Sequence, residues 1–176
     1  MRAVLIAALV AAPSLSFAAG SDTTPPTPTK NTTECKNGKV WDETAQECSL
    51  PKESRLDDDA LYKAVREFAY AGAYSDAKLA LAAMSDQNSD RVWTYKGFIA
   101  RKTGQQAQAM EFYMQALAVN PDNLLARSYM GQGFVQAGEM DLAAAQLTQI
   151  RTRGGRGSWP EISLRMAIDT GRGNNY

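Results

Sequence analysis

The sequence predicts an all-α fold, an α-solenoid of three helical hairpins plus a C-terminal capping helix, preceded by a small disulfide loop. Three observations predict it. Gly72, Gly104 and Gly138 recur at intervals of 32 and 34 residues, and each stands five residues before an alanine: Ala77, Ala109 and Ala143. A self-similarity of that length is the mark of stacked helical hairpins. From Asp57 onward, Leu61, Ala64, Val65, Phe68 and Ala69 fall at three- and four-residue steps, the stripe of an amphipathic helix. Each recurring glycine also falls where a helix would end and a left-handed residue is needed.

The N-terminus reads as an address. Met1-Arg2 carries one positive charge, Ala3 to Ala12 is apolar, Pro13 breaks the run, and Ser16-Phe17-Ala18 supplies small residues where a signal peptidase looks. Residues 1–18 are therefore expected to be a signal peptide cleaved after Ala18, and the run is too short to span a membrane. No cysteine follows the cleavage point at once, so no bacterial lipid anchor is expected. The mature chain is expected to be periplasmic or secreted.

Residues 19–34 read as a Thr/Pro-rich linker in extended or polyproline-like states, since their Thr, Pro and polar residues offer nothing apolar to bury. Asn31-Thr32-Thr33 matches a glycosylation sequon, a pattern frequent by chance. Residues 35–48 then form a loop with a cysteine at each end. An even cysteine count in an exported chain predicts a Cys35–Cys48 disulfide, and closing a loop of this size stabilises it by roughly 3 kcal/mol. Asn37-Gly38 favours a tight turn at positive φ, hence a small hairpin inside the loop. Trp41 is the one residue there large enough to make a core or a contact.

The helical domain spans 57–170. Its first helix starts at Asp57 and stops at Gly72-Ala73, and the second runs from Tyr74 to Met84. The second pair covers 92–102 and 106–119, split at Thr103-Gly104. The third covers 124–136 and 140–150, split at Ala137-Gly138. Asn120-Pro121-Asp122 closes the second pair, because proline cannot continue a helix but starts the next well. Asp57-Asp58-Asp59 reads as charge complementing a helix N-terminus, not as a calcium site. RTRGGRG (151–157) reads as a flexible loop, without the surrounding basic and aromatic groove that nucleic acid would need. Ser158 and Glu161 make a capping box for the helix 158–170, whose Ile162, Leu164, Met166 and Ile168 are too apolar to be left in water. Residues 171–176 form a polar, flexible tail.

Composition narrows the function. The chain has 176 residues, 44% hydrophobic, with 19 basic and 19 acidic residues and a net charge of zero. No bulk attraction to nucleic acid or anionic lipid follows. Histidine is absent, which removes the commonest general base and metal ligand, and two cysteines cannot make a four-ligand zinc site. No catalytic residue, metal or cofactor is expected, and the protein is read as a non-enzyme.

Put in register, the hairpins resemble tetratricopeptide repeats (TPR), at about 58–89, 90–123 and 124–157. The middle copy carries the family's signature positions as Trp93, Gly97, Gly104, Ala109, Tyr113, Ala116 and Pro121. The third keeps Gly131, Phe134, Gly138 and Ala143 but lacks the tryptophan and proline. The first keeps Phe68, Gly72, Tyr74 and Ala77 and is two residues short at its end. In this register Gly97, Gly131, Ala77, Ala109 and Ala143 let helices approach closely, while Trp93, Phe98, Tyr113, Phe134 and Leu147 fill the gaps between hairpins.

The resemblance implies an open concave groove, lined by the first helix of each hairpin, that takes an extended peptide or a partner's helix. Its positions here are Tyr62, Arg66, Ala69 and Tyr70; Arg91, Thr94, Phe98, Arg101 and Lys102; and Leu125, Ser128, Gln132, Val135 and Gln136. The family's lysine and asparagine clamp for a C-terminal carboxylate is not reproduced, since Tyr62 and Arg66 stand at those positions. Arg66, Arg101 and Lys102 would instead meet acidic groups. Phe98 and Tyr113 are expected in the core. The implied function is a periplasmic adaptor or scaffold binding a protein or peptide of the cell envelope, with self-association through end faces also open. A second resemblance is weaker. Cys35, Gly38, Trp41, Asp42, Cys48 and Pro51 resemble part of small chitin-binding domains, which implies a peptidoglycan- or chitin-like glycan stacked on Trp41. The alternative is Trp41 packed on its own disulfide.

Overall fold

A computed structural model describes residues 21–53 and 55–173. The expected signal peptide, its cleavage after Ala18 and tail residues 174–176 lie outside the described residues. A 3-10 turn at Ser21–Thr23 leads into α1 (Lys30–Thr33), then a two-stranded antiparallel hairpin of β1 (Val40–Asp42) and β2 (Glu47–Ser49). The helical body follows: α2 (Asp58–Tyr70), α3 (Tyr74–Ala83), α4 (Asp90–Lys102), α5 (Gln106–Val119), α6 (Leu124–Gln136), α7 (Met140–Thr152) and α8 (Trp159–Thr170). Helices pair as α2 with α3, α4 with α5 and α6 with α7, while α2, α4, α6 and α8 lie side by side. The all-α class and the three pairs match expectation. Among the described residues no helix is long and apolar enough to cross a membrane.

The two helices of each pair start differently, for one local reason. Asp57, Ser89 and Asn123 cap α2, α4 and α6 by accepting the backbone N–H of Ala60, Val92 and Ala126. The helices α3, α5 and α7 have no side-chain cap. They spring directly from the turn that ends their partner. At that turn Gly72 adopts φ +76°, its N–H donates to Ala69, and the N–H of Ala73 donates to Phe68. The same pair of bonds recurs at Gly104 and Gly138. An L side chain would be strained there, so the glycine spacing sets where the chain reverses.

Packing within a pair depends on a missing Cβ. A methyl group on Gly97 would stand 2.5 Å from the ring of Tyr113, which is fully buried. Gly131 opens space in a different direction, toward Leu164 of α8. One apolar cluster runs from Leu61 to Met130 and holds Phe98, Tyr95, Tyr113 and Tyr129. Two smaller clusters join α7 and α8, around Ala143 and Ala167 and around Leu147, Ile150 and Leu164. The last helix therefore covers the third pair, as a cap must.

The linker reading changes most. Residues 21–34 are not a free spacer: they bond to Tyr62, Arg66 and Glu67 of α2, and the 3-10 turn lies beside α6 and α8, which apolar content alone did not foretell. The Cys35–Cys48 disulfide forms, with Cα atoms 5.5 Å apart. Asn37 and Gly38 do take positive φ, but their turn precedes β1. The hairpin reverses instead at 43–46, where the Asp42 carboxylate accepts from Thr44 and Ala45 N–H. In 151–157 the loop is shorter than expected, and two of its arginines are paired. Arg151 and Thr152 close α7, Arg151 pairs with Glu161 at 2.7 Å, and Arg153 pairs with Asp122 at 3.1 Å. That pairing also removes the capping box: Glu161 faces Arg151, and Ser158 Oγ donates to Gly155 O. Met166 stays 44% exposed despite its apolar side chain.

Candidate ligand-binding groove

The helices α2, α4, α6 and α8 share one face, and their side chains there are linked from helix to helix. Of the positions expected to line a groove, Tyr62, Arg66, Thr94, Arg101, Ser128 and Gln132 are buried. Tyr70, Arg91 and Lys102 are half-buried, and Gln136 is exposed. They do not form one continuous strip. The structure sorts them into three groups.

The first group gathers Tyr62, Arg66 and Arg91. The Arg91 guanidinium lies 4.6 Å from the Tyr62 ring centre and pairs with Asp59. Into this cluster comes Asp22: Tyr62 OH donates to its carboxylate at 2.8 Å, and Arg66 Nε lies 3.7 Å from it. Arg66 Nη2 also donates to the carbonyl of Thr24 at 2.6 Å. Burial pushes the Tyr62 hydroxyl well above its ordinary pKa, with Tyr95 and Asp22 adding to it. Burial likewise lifts Tyr95 to about 12. Both phenols are neutral at working pH.

The second group is aromatic. Tyr70 stacks on Phe98 with ring centres 5.7 Å apart, its hydroxyl lies 2.8 Å from that of Tyr129, and Trp159 Nε1 donates to it at 2.8 Å. The start of α8 thus bridges to the end of α2, and the face is not an open trough. Phe98 and Tyr113 are fully buried, as expected of core residues. Phe98, Tyr95 and Tyr129 are too large and apolar to leave in water.

The third group is amide-rich. Arg101 donates to Gln132 and Gln136, both at 3.3 Å, and Gln132 donates to Ser163 of α8 at 2.9 Å and to Ser128 at 3.4 Å. Lys102 lies beside it, its ammonium pushed down to about 8 by burial and by Arg101. Thr94 serves neighbouring helices instead: it donates to Asp90 O and accepts from Asn123, which also donates to Asp90. These bonds hold α4 to α6.

Sequence reasoning missed Glu67, Tyr95, Tyr129 and Trp159. Tyr95 and Tyr129 stand 34 residues apart, so the repeat register alone would have paired them. Glu67 had a signal too, as a carboxylate set between Val65 and Phe68 on an otherwise apolar stripe. Its carboxylate is buried and takes bonds from Thr29 N–H at 2.7 Å, Thr29 Oγ1 at 2.6 Å, Asn31 Nδ2 at 3.1 Å, Thr32 N–H at 3.1 Å and Thr32 Oγ1 at 2.5 Å. Burial alone would raise its pKa, but the donors from Thr29, Thr32 and Asn31 outweigh it and hold the carboxyl below the usual range.

Beside this contact lies a cavity of about 400 Å³ lined by Pro25, Pro26, Trp41, Glu43 and Lys63 among others. Trp41 pairs across the hairpin with Cys48. Lys30 Nζ lies 3.9 Å from its ring centre, on a face a sugar would use. No family model, curated protein or solved structure matches the chain.

Proposed function

We propose that the chain is a tetratricopeptide-type α-solenoid and a non-enzymatic adaptor of the cell envelope, holding a protein or peptide partner on the shared face of α2, α4, α6 and α8. The periplasmic address rests on residues 1–18 and agrees with the formed disulfide. The repeat reading is supported by three glycine turns of one hydrogen-bond pattern and by the Gly97–Tyr113 approach inside the middle pair. One observation carries the binding reading: the face already grips a stretch of chain, taking the Asp22 carboxylate on Tyr62 and the Thr24 carbonyl on Arg66. Those are the two kinds of group any extended peptide presents, a side chain and a main-chain oxygen.

The test is capture of partners from a periplasmic extract with the intact chain and with Arg66→Ala and Arg101→Ala. Both substitutions are expected to reduce the bound partner. A partner held equally well by all three proteins would move binding off this face.

A second reading, glycan binding at the disulfide hairpin, is favoured by the cavity beside Trp41, whose buried Nε1 has no hydrogen-bond partner among the described residues. Sedimentation with peptidoglycan or chitin that is lost on Trp41→Ala supports it. No sedimentation of the unaltered chain ends it.

A further inference from the structure

The hydrogen bonds described between residues 21–34 and the body go to Tyr62, Arg66 and Glu67 of α2, and none of these segment residues belongs to an apolar cluster. Yet they supply every side-chain hydrogen bond described for the buried Glu67 carboxylate. Glu67 stands at the start of α1 and accepts the N–H of both Thr29 and Thr32, completing from outside what a capping residue does from within. Ten residues of chain away from Thr32, Asp22 fills the Tyr62 and Arg66 cluster. A buried carboxylate is costly when unpaired. A body meant to stand alone would pair Glu67 with its own residues. This one pairs it with a segment whose bonds water or another chain can replace.

We propose that residues 22–33 are a resident ligand of the groove, and that the external partner is a protein segment of the same chemistry that displaces them. Such a segment carries an acidic residue for Tyr62 and Arg66, then a short extended stretch. It ends in a helix start with Thr or Asn donors for Glu67. The inference rests on the adaptor reading above and names the partner class for that face. The resident segment is tethered close by at Cys35, in β-hairpin and disulfide. Its local concentration is therefore roughly millimolar, and a partner must outcompete that. Partner binding is accordingly weakened by the fraction of time the face is self-occupied.

The experiment uses the full chain and a labelled synthetic peptide of residues 21–34 as the probe, read by fluorescence anisotropy. An undocked full-length variant carries Asp22→Ala, Thr29→Pro and Thr32→Val, which remove the acid, an N–H and both threonine hydroxyls. Unchanged helical circular dichroism establishes that its body is folded. The peptide is expected to bind this variant at least about tenfold more tightly than the unaltered chain. Adding Glu67→Ala to the variant, or Asp22→Ala to the peptide, is expected to weaken that binding. Equal binding to both chains, or none to a folded undocked variant, overturns the proposal. A dimer of the unaltered chain that vanishes in the undocked variant, seen by sedimentation, would reassign the segment to a second copy and overturn it too. If the peptide fails while extract capture still depends on Arg66 and Arg101, the resident-ligand idea falls and the adaptor reading stands. If capture ignores those arginines while the peptide binds, the reverse holds.

Discussion

Residues 21–56 and the helical body that follows them are held by different forces. The body buries a continuous apolar cluster from α2 to α6, with Tyr95, Phe98, Tyr113 and Tyr129 at its centre. Of residues 21–56, Val40 alone joins that cluster, with Leu56 packed against it. The rest is held by one disulfide, a hairpin of two short strands and hydrogen bonds to Glu67, Tyr62 and Arg66. Apolar burial is cooperative and hard to undo in part, whereas polar bonds contribute one by one, each worth about 1.5–3 kcal/mol net where one partner is charged. The difference teaches that one part of the chain is built on shared apolar burial and the other on a disulfide and individual polar bonds.

Substitutions can break or sharpen that contrast. The largest effect is expected in the helical body: Phe98→Ala should cost about 3–5 kcal/mol and lower the thermal midpoint of the whole helical signal. A midpoint like that of the unaltered chain would mean the cluster is not the body's core. Replacing Cys35 and Cys48 together by Ala should cost the hairpin region roughly 3 kcal/mol. That loss should appear as faster amide exchange in 35–49, with the helical midpoint nearly unmoved. Coincident loss of both signals would join the two regions into one unit.

Glu67→Ala should be smaller and more local, releasing α1 at a cost of about 1–3 kcal/mol. Amide exchange at Thr29 and Thr32 should rise while helicity is kept. The same contact responds to acid. Because the docked carboxyl is held below the usual range, its contribution is complete above the ordinary glutamate value of about 4.3 and fades as pH falls through the docked value. The protection factors of Thr29 and Thr32 against amide exchange should thus be steady from neutral pH to pH ~5 and fall only in stronger acid. The smallest effect belongs to Lys102. Its ammonium titrates near 8 in the fold against about 10.4 when unfolded, so the unfolded chain holds more protons between these values and stability should rise with pH across them. Lys102→Met should flatten that rise and stabilise the protein near neutrality by less than about 1 kcal/mol, since the side chain is half in water.

The body was legible in the sequence because its instructions are local. The turns at Gly72, Gly104 and Gly138 depend on one residue's φ, and the caps at Asp57, Ser89 and Asn123 on bonds within one turn. Side chains on the shared face of α2, α4 and α6 were legible through the repeat spacing, but what covers them was not. The docking of Asp22 on Tyr62, or of Thr29 on Glu67, joins residues about forty positions apart by polar geometry, and no periodicity records it. The capping box misled for a similar reason. Ser158 and Glu161 have the right spacing, but Arg151 offers Glu161 a charged partner across the last turn.

The bond from Trp159 to Tyr70 carries a consequence for how the molecule comes apart. A row of stacked units ordinarily frays from its tips inward, each tip being held by one neighbour only. Here one hydrogen bond joins the two tips across the aromatic cluster, so loosening either tip takes a partner from the other.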